Sequence, residues 1–223
     1  MSHSRVEPIM NQNARESGLA LIVGSLTVIV TLILHPTGRG LFDPAQVESM
    51  ARTMIAVHSL ALISLPLLFL GACGLSRAVG SNNWLGVAGL VIYGFAGVAM
   101  MNAVILDGLV TPGLARAIAN AAADKAVGWK IALNHNVLLD QAFMSVFLVA
   151  SSVAIALWSL AIVRRSALAW GLGIFGFSLG AATVIGQFTG WLAQYPHIFG
   201  IVLIGQAIWF TTAGVQLYRS KTV

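Results

Sequence analysis

Charge is scarce in this sequence. Only 9% of the 223 residues are charged, whereas 58% are hydrophobic and the mean hydropathy is +0.88. Soluble domains carry about 25% charged residues, so this chain has too few charges to cover a surface that faces water. Several apolar runs approach the roughly 20 residues that cross a bilayer as a helix. The sequence therefore predicts an all-α integral membrane protein whose surface contacts membrane lipids.

Cysteine and the common metal-binding motifs are almost absent. Cys73 is the single cysteine, which excludes an intrachain disulfide. The chain has no His-x-x-x-His, Glu-x-x-His or Cys-x-x-Cys-His spacing. The formal net charge of +5 does not indicate a nucleic-acid partner, because Lys and Arg cluster at the ends of apolar segments. These residues are informative about membrane topology instead.

Six apolar segments predict six transmembrane helices in one domain, residues 18–218. Polar tails at 1–17 and 219–223 flank this domain. The predicted helices cover residues 18–34, 44–75, 84–108, 134–160, 167–190 and 197–217. The first is expected to be retained rather than cleaved as a signal peptide, because no small-x-small site precedes His35 and Pro36.

The connecting segments add three local predictions. Asp43 followed by Pro44 is typical of a helix start, and Pro66 predicts a kink within the second helix. Residues 114–126 favour a helix but are too short and polar to cross a bilayer. They predict a short surface helix between the third and fourth transmembrane helices.

The distribution of Lys and Arg predicts the orientation. Seven of the twelve lie on the side of the two termini, concentrated in short segments, and five are spread over two long loops on the other side. Positive residues in short loops mark the cytoplasmic face. Both termini are therefore expected in the cytoplasm, with the chain in a bacterial-type inner membrane.

Glycines in the fifth segment indicate a helix contact. Gly176 and Gly180 are four residues apart, as are Gly186 and Gly190. This spacing lets two backbones approach closely. The fifth helix is therefore expected to pack against another helix through this face.

Polar side chains gather toward one side of the predicted membrane. At about 1.5 Å per residue, His58 lies about 28 Å from the cytoplasmic end of its helix, and Asp107 and Asp140 lie about 35 Å from theirs. His35, His135 and His197 also fall in the outer half. Ionisable groups at membrane depth usually face a protein interior or a water-filled cavity. This layer is the candidate functional site.

The residues of this layer differ in how specifically they indicate function. His35 and His197 each adjoin a proline at a helix end, where an imidazole can simply meet lipid headgroups, and Asp107 can cap a turn. Apolar residues enclose His58 on both sides, so it is the strongest candidate. We expect His58, Asp107 and Asp140 to line one cavity with at least one of His135 and His197. His35→Ala should be mild.

The main functional hypothesis is a metal centre or a haem. Imidazole and carboxylate suit Zn, Fe or Cu, with His58, His135, His197 and Asp107 as ligands and Asp140 and Asp107 as catalytic groups. A haem would instead need two facing imidazoles, for instance His58 with His135 or His197. Such a centre would serve an enzyme acting on a lipophilic substrate.

Three alternatives remain at the level of sequence. The first is a metal-free enzyme that acts on a lipid, isoprenoid or quinone, with His58 or His135 as base and Asp107 or Asp140 as its partner. The second is a proton- or cation-coupled transporter component using the two carboxylates, although transporter sites normally lie near the midplane. The third is an assembly subunit whose polar layer packs on a membrane partner or a second copy.

Overall fold

The fold is helical throughout the part of the chain that the structure describes. The computed structural model describes residues 6–36, 41, 43–80, 83–165, 170–191 and 196–219, with no strand among them. Its helices are α1 (Val6–Leu34), α2 (Val47–Ala78), α3 (Trp84–Ile105), α4 (Thr111–Asn120), α5 (Ala123–Arg165), α6 (Trp170–Phe188) and α7 (Pro196–Arg219). A π-helical turn, Leu106–Val110, joins α3 to α4.

Six helical segments are long and apolar enough to cross a membrane. They are Asn13–Leu34, Val47–Ala78, Trp84–Asn120, Ala123–Arg164, Trp170–Phe188 and Ile198–Arg219. At the level of length and composition, this confirms the six predicted segments. Large apolar side chains remain exposed along these helices, including Phe95 and Ile185. Such an outer surface fits an apolar solvent better than water.

Trp158 on α5 lies at the centre of the main core. Its side chain is fully buried, and its indole N–H donates to Ser76 Oγ at 3.0 Å and to the carbonyl of Gly86 at 3.3 Å. The indole rings of Trp158 and of Trp209 on α7 are nearly parallel, and their centroids are 6.2 Å apart. A buried indole needs a hydrogen-bond partner, and α2 and α3 supply it here. Trp158 thereby ties four helices together.

The expected contact of the fifth predicted helix is confirmed at Gly176 and Gly180, whereas a Cβ on Gly190 would meet nothing within 4 Å. A Cβ placed on Gly180 of α6 would lie 2.5 Å from the carbonyl oxygen of Ser152 and 3.1 Å from Ala156 Cβ, both on α5. A Cβ on Gly176 would overlap the indole of Trp209 and the hydroxyl of Ser159. The glycine face of α6 therefore packs directly on α5 and α7.

The third predicted helix does not end at Thr111 and Pro112. The chain stays helical through the π turn, and α4 begins at Thr111 with Pro112 in its first turn, where proline is well tolerated. The predicted surface helix at 114–126 is replaced by α4, which buries Thr111, Pro112 and Ala115. Residues 123–126 belong to α5 instead.

Other helix ends also differ from those predicted. Helix α1 begins at Val6 rather than Gly18, and α5 begins at Ala123 rather than Asn134. In front of α2, Asp43 accepts hydrogen bonds from its neighbours, and the helix then runs from Val47 through Pro66. The predicted start of the sixth helix at His197 agrees to within one residue with α7, which begins at Pro196. The predicted start of the fifth helix, Ala167, lies outside the described residues.

Candidate metal centre

Two imidazoles meet one carboxylate oxygen, and the three side chains come from separate segments of the chain. Asp107, in the π turn, places Oδ2 2.9 Å from Nε2 of His58 on α2 and 3.3 Å from Nε2 of His35, just beyond α1. The three atoms all lie within 4.8 Å of one another. The imidazole rings contact each other edge to face, with centroids 5.1 Å apart. Two imidazoles and a carboxylate are common ligands of transition metals.

The π turn presents Asp107 to this group. The wide turn leaves the carbonyl of Leu106 to accept from the Thr111 backbone N–H and, at 3.1 Å, from its hydroxyl. Asn136 of α5 donates to the same carbonyl at 3.1 Å and to Thr111 Oγ1 at 2.9 Å. Isolated π turns occur frequently at functional sites. Here a buried amide from a neighbouring helix holds the turn open.

Gly108 allows the close approach of α2 to the π turn. A Cβ at this position would overlap Cβ and Cγ of His58. The glycine therefore leaves the space that the imidazole occupies. The residue next to Asp107 thus has a steric role in the site.

Nδ1 of His58 is held as a hydrogen-bond donor to the backbone. Only 5% of the residue is exposed, and Nδ1 lies 2.8 Å from the backbone carbonyl of Met54. A carbonyl oxygen only accepts, so Nδ1 carries the proton in this contact. Nε2 donates to the Asp107 carboxylate when it is also protonated, and it offers a lone pair to a metal ion when it is not. Metal-binding histidines typically donate their other ring N–H to such a carbonyl.

The site is partly open and contains a second carboxylate. The side chains of His35 and Asp107 are about one-third exposed (37% and 34%). They line a cavity of about 100 Å³ together with Asp140 of α5. One oxygen of Asp140, Oδ1, is buried without a hydrogen-bond partner among the described residues. A buried acceptor of this kind is available to a ligand or an ordered water.

An ion pair joins the two segments that carry His58 and Asp107. The guanidinium of Arg116 on α4 donates to both carboxylate oxygens of Glu48 on α2, at 2.8 and 2.9 Å. Such a bidentate pair fixes relative orientation even where its exposure limits its contribution to stability. It connects the start of α2 to the helix that follows the π turn.

The structure brings together part of the predicted set. His58 and Asp107 are in direct contact, and Asp140 lines the same cavity, as expected for one shared site. His135 is exposed and outside the three-residue group. The side chain of His197 lies outside the described residues.

His35 is the residue that the sequence prediction missed. Its place beside Pro36 indicated a headgroup contact, whereas its imidazole reaches Asp107. The signal that favoured it was its depth, about 30 Å along the helix from Arg15 and close to the 28 Å that separates His58 from Arg77. The expected mildness of His35→Ala is therefore withdrawn.

Comparison with known proteins adds no further constraint. No family model, no curated protein and no solved structure matches the chain. Its function must therefore be argued from the geometry of the site.

Proposed function

We propose that this chain is an integral membrane protein that binds one transition-metal ion through His35, His58 and Asp107. The observation that carries the proposal is the convergence of their three ligand atoms within 4.8 Å. Ligand atoms bound at about 2.1 Å to a single ion lie about 3 Å apart. The distances of 2.9 and 3.3 Å from Asp107 Oδ2 to the two imidazoles match that spacing.

The ligand set favours zinc or iron. Three protein ligands with an open position are typical of catalytic zinc, and two histidines with one carboxylate on one face are typical of non-haem iron(II). The same set does not suit a haem. The two imidazoles lie 5.1 Å apart and contact one carboxylate, which leaves no room for a macrocycle between them.

We infer an enzyme that acts on a lipophilic small molecule. A bound ion would supply Lewis-acid or redox chemistry at the open position. Asp140 lines the cavity with one unpartnered carboxylate oxygen, so it is our candidate for holding or moving a proton of the substrate. Asp107 would be a metal ligand when the ion is bound and, without the ion, the acceptor for the Nε2–H groups of the two imidazoles.

A metal-free acid–base enzyme is the second candidate. The 2.9 Å contact of His58 with Asp107 favours it, because the same pair could act as a base and its orienting carboxylate. Metal content distinguishes the two candidates. A transporter or an assembly subunit has no comparable geometric support.

Metal analysis of detergent-purified protein tests the proposal. The wild type, incubated with Zn²⁺, Fe²⁺ or Cu²⁺ and then desalted, is expected to retain about one ion per chain. His58→Ala should retain little, because it removes the most deeply buried of the three ligands. His135→Ala is the matched control and should retain the wild-type amount, since His135 is exposed outside the group. Equal retention in His58→Ala, or none in the wild type, would refute the metal centre.

The proposed orientation places both termini in the cytoplasm and the metal centre toward the outer face. On a Cys73→Ser background, we expect Asn120→Cys to react with an impermeant maleimide in intact cells. Arg77→Cys, at the other end of the bundle, should react only after permeabilisation. Both positions are exposed in the structure. The reverse pattern would invert the topology.

A further inference from the structure

A second, apolar cavity adjoins the metal centre. It has a volume of about 90 Å³ and lies among α1, α2, α3, α5 and α7. Its wall shares six residues with the cavity of the metal centre, namely Thr31, Leu32, Ala61, Met100, Val104 and Leu203. The two cavities are therefore neighbours with a common wall, and the histidine and aspartate side chains line only the cavity of the metal centre.

The apolar cavity extends away from the histidines into the bundle. Along α2 its wall runs to Leu68, ten residues and about 15 Å from His58. One water needs only about 10–15 Å³, so this cavity is large for a void within a packed protein. Phe147 and Phe210 contribute aromatic surface. A cavity with such walls favours an apolar occupant.

Most polar side chains in the wall are already satisfied within the chain. The Thr31 hydroxyl donates to the Thr27 carbonyl at 2.9 Å, and the Ser64 hydroxyl donates to the Ala61 carbonyl at 2.7 Å. Gln206 donates to two serines of α5. Ser25 differs, because it is 1% exposed and its hydroxyl has no partner among the described residues. The Ser25 hydroxyl is thus available to an occupant.

We propose that the apolar cavity binds the hydrocarbon tail of an amphiphile whose oxygen-bearing head reaches the metal centre. The proposal rests on the proposed function and defines its substrate class. The head would meet an ion and the two imidazoles, and the tail would exclude water from the inner side. Burial of each methylene strengthens binding about fourfold. The tail would therefore supply most of the affinity and the head the reactivity.

Gly97 of α3 offers a way to fill the cavity without touching the metal ligands. It lines the cavity, and a Cβ at this position would meet nothing within 4 Å. Gly94, on the same helix, is the matched control. A Cβ there would make an ordinary 3.5 Å contact with Phe69, and Gly94 is not part of the cavity wall.

The test compares two metal-chelating probes, acetohydroxamate and decanohydroxamate, on zinc-loaded protein in one detergent. The wild type and Gly94→Leu should bind the long probe at least about fiftyfold more tightly, which corresponds to three buried methylenes. In Gly97→Leu this preference should fall at least tenfold, whereas acetohydroxamate should bind as in the wild type. Partition of the long probe into micelles is equal for all variants and cancels in the comparison.

The outcomes separate this inference from the metal centre itself. A wild type that binds zinc and both probes equally would overturn the tail site and leave the metal centre standing, as would an unchanged preference in Gly97→Leu. If the wild type bound no metal, the metal centre would be wrong. Decanohydroxamate would then be measured on metal-free protein, where equal binding to wild type and Gly97→Leu would overturn the tail site. Gly97→Ala replaces Gly97→Leu if the latter does not fold.

Discussion

Asp107→Asn is expected to weaken metal binding by about a hundredfold or more. Loss of an outer-sphere partner alone typically weakens a metal site 10–100-fold, and this substitution removes the charged ligand itself. Asp107 Oδ2 is also the atom that both imidazoles contact. An amide in its place would leave His35 and His58 without the carboxylate oxygen that both imidazoles contact. Competition with a fluorescent zinc chelator in detergent measures the change.

Asp140→Asn is the control for that experiment. Asp140 lines the same cavity but does not belong to the group of three ligand atoms. The variant should hold zinc with nearly wild-type affinity and lose any turnover that depends on a carboxylate. The reverse result, with zinc lost in Asp140→Asn and kept in Asp107→Asn, would show that the ligand set has been assigned to the wrong carboxylate.

Gly180→Leu is expected to separate α6 from α5 and to prevent recovery of folded protein. Even a Cβ at this position would lie 2.5 Å from the backbone carbonyl oxygen of Ser152. Overpacking typically costs about 1–3 kcal/mol when side chains can move aside. A helix backbone cannot move aside in this way, so the loss should exceed that range. The yield of monodisperse protein and its melting temperature in detergent are the measurements.

Gly171→Leu on the same helix isolates the steric effect. A Cβ at Gly171 would meet nothing within 4 Å, and the residue is exposed. Like Gly180→Leu, this variant replaces a glycine within α6 by leucine, yet it should fold and have the melting temperature of the wild type. A Gly180→Leu protein with the same melting temperature as Gly171→Leu would contradict the described contact between α5 and α6.

The apolar segments were predictable because hydropathy and length decide them with little help from packing. The π turn was not. Thr111, Pro112 and Gly113 are typical of a helix end, and local sequence supports that interpretation. The structure continues because Asn136 of another helix donates to the carbonyl of Leu106 and to the hydroxyl of Thr111, on both sides of the turn. A contact across 30 residues thereby overrides the local signal.

The candidate site was half predictable for a related reason. Counting residues along a helix gives the depth of a side chain, and depth placed His58, Asp107 and His35 at similar levels. It does not give direction, since successive residues point about 100° apart around the axis. His135 is exposed whereas its neighbour Asn136 is buried. Which of two adjacent polar residues turns inward depends on how the helices pack.

The length of α5 couples the two ends of the molecule. This single helix of 43 residues carries Asn136 at the π turn and Trp158 in the main core, about 33 Å apart. No loop or proline lies between them to absorb a displacement. A tilt or rotation of the core around Trp158 would therefore be transmitted along α5 to the Asn136 amide, which bonds the π turn that carries Asp107.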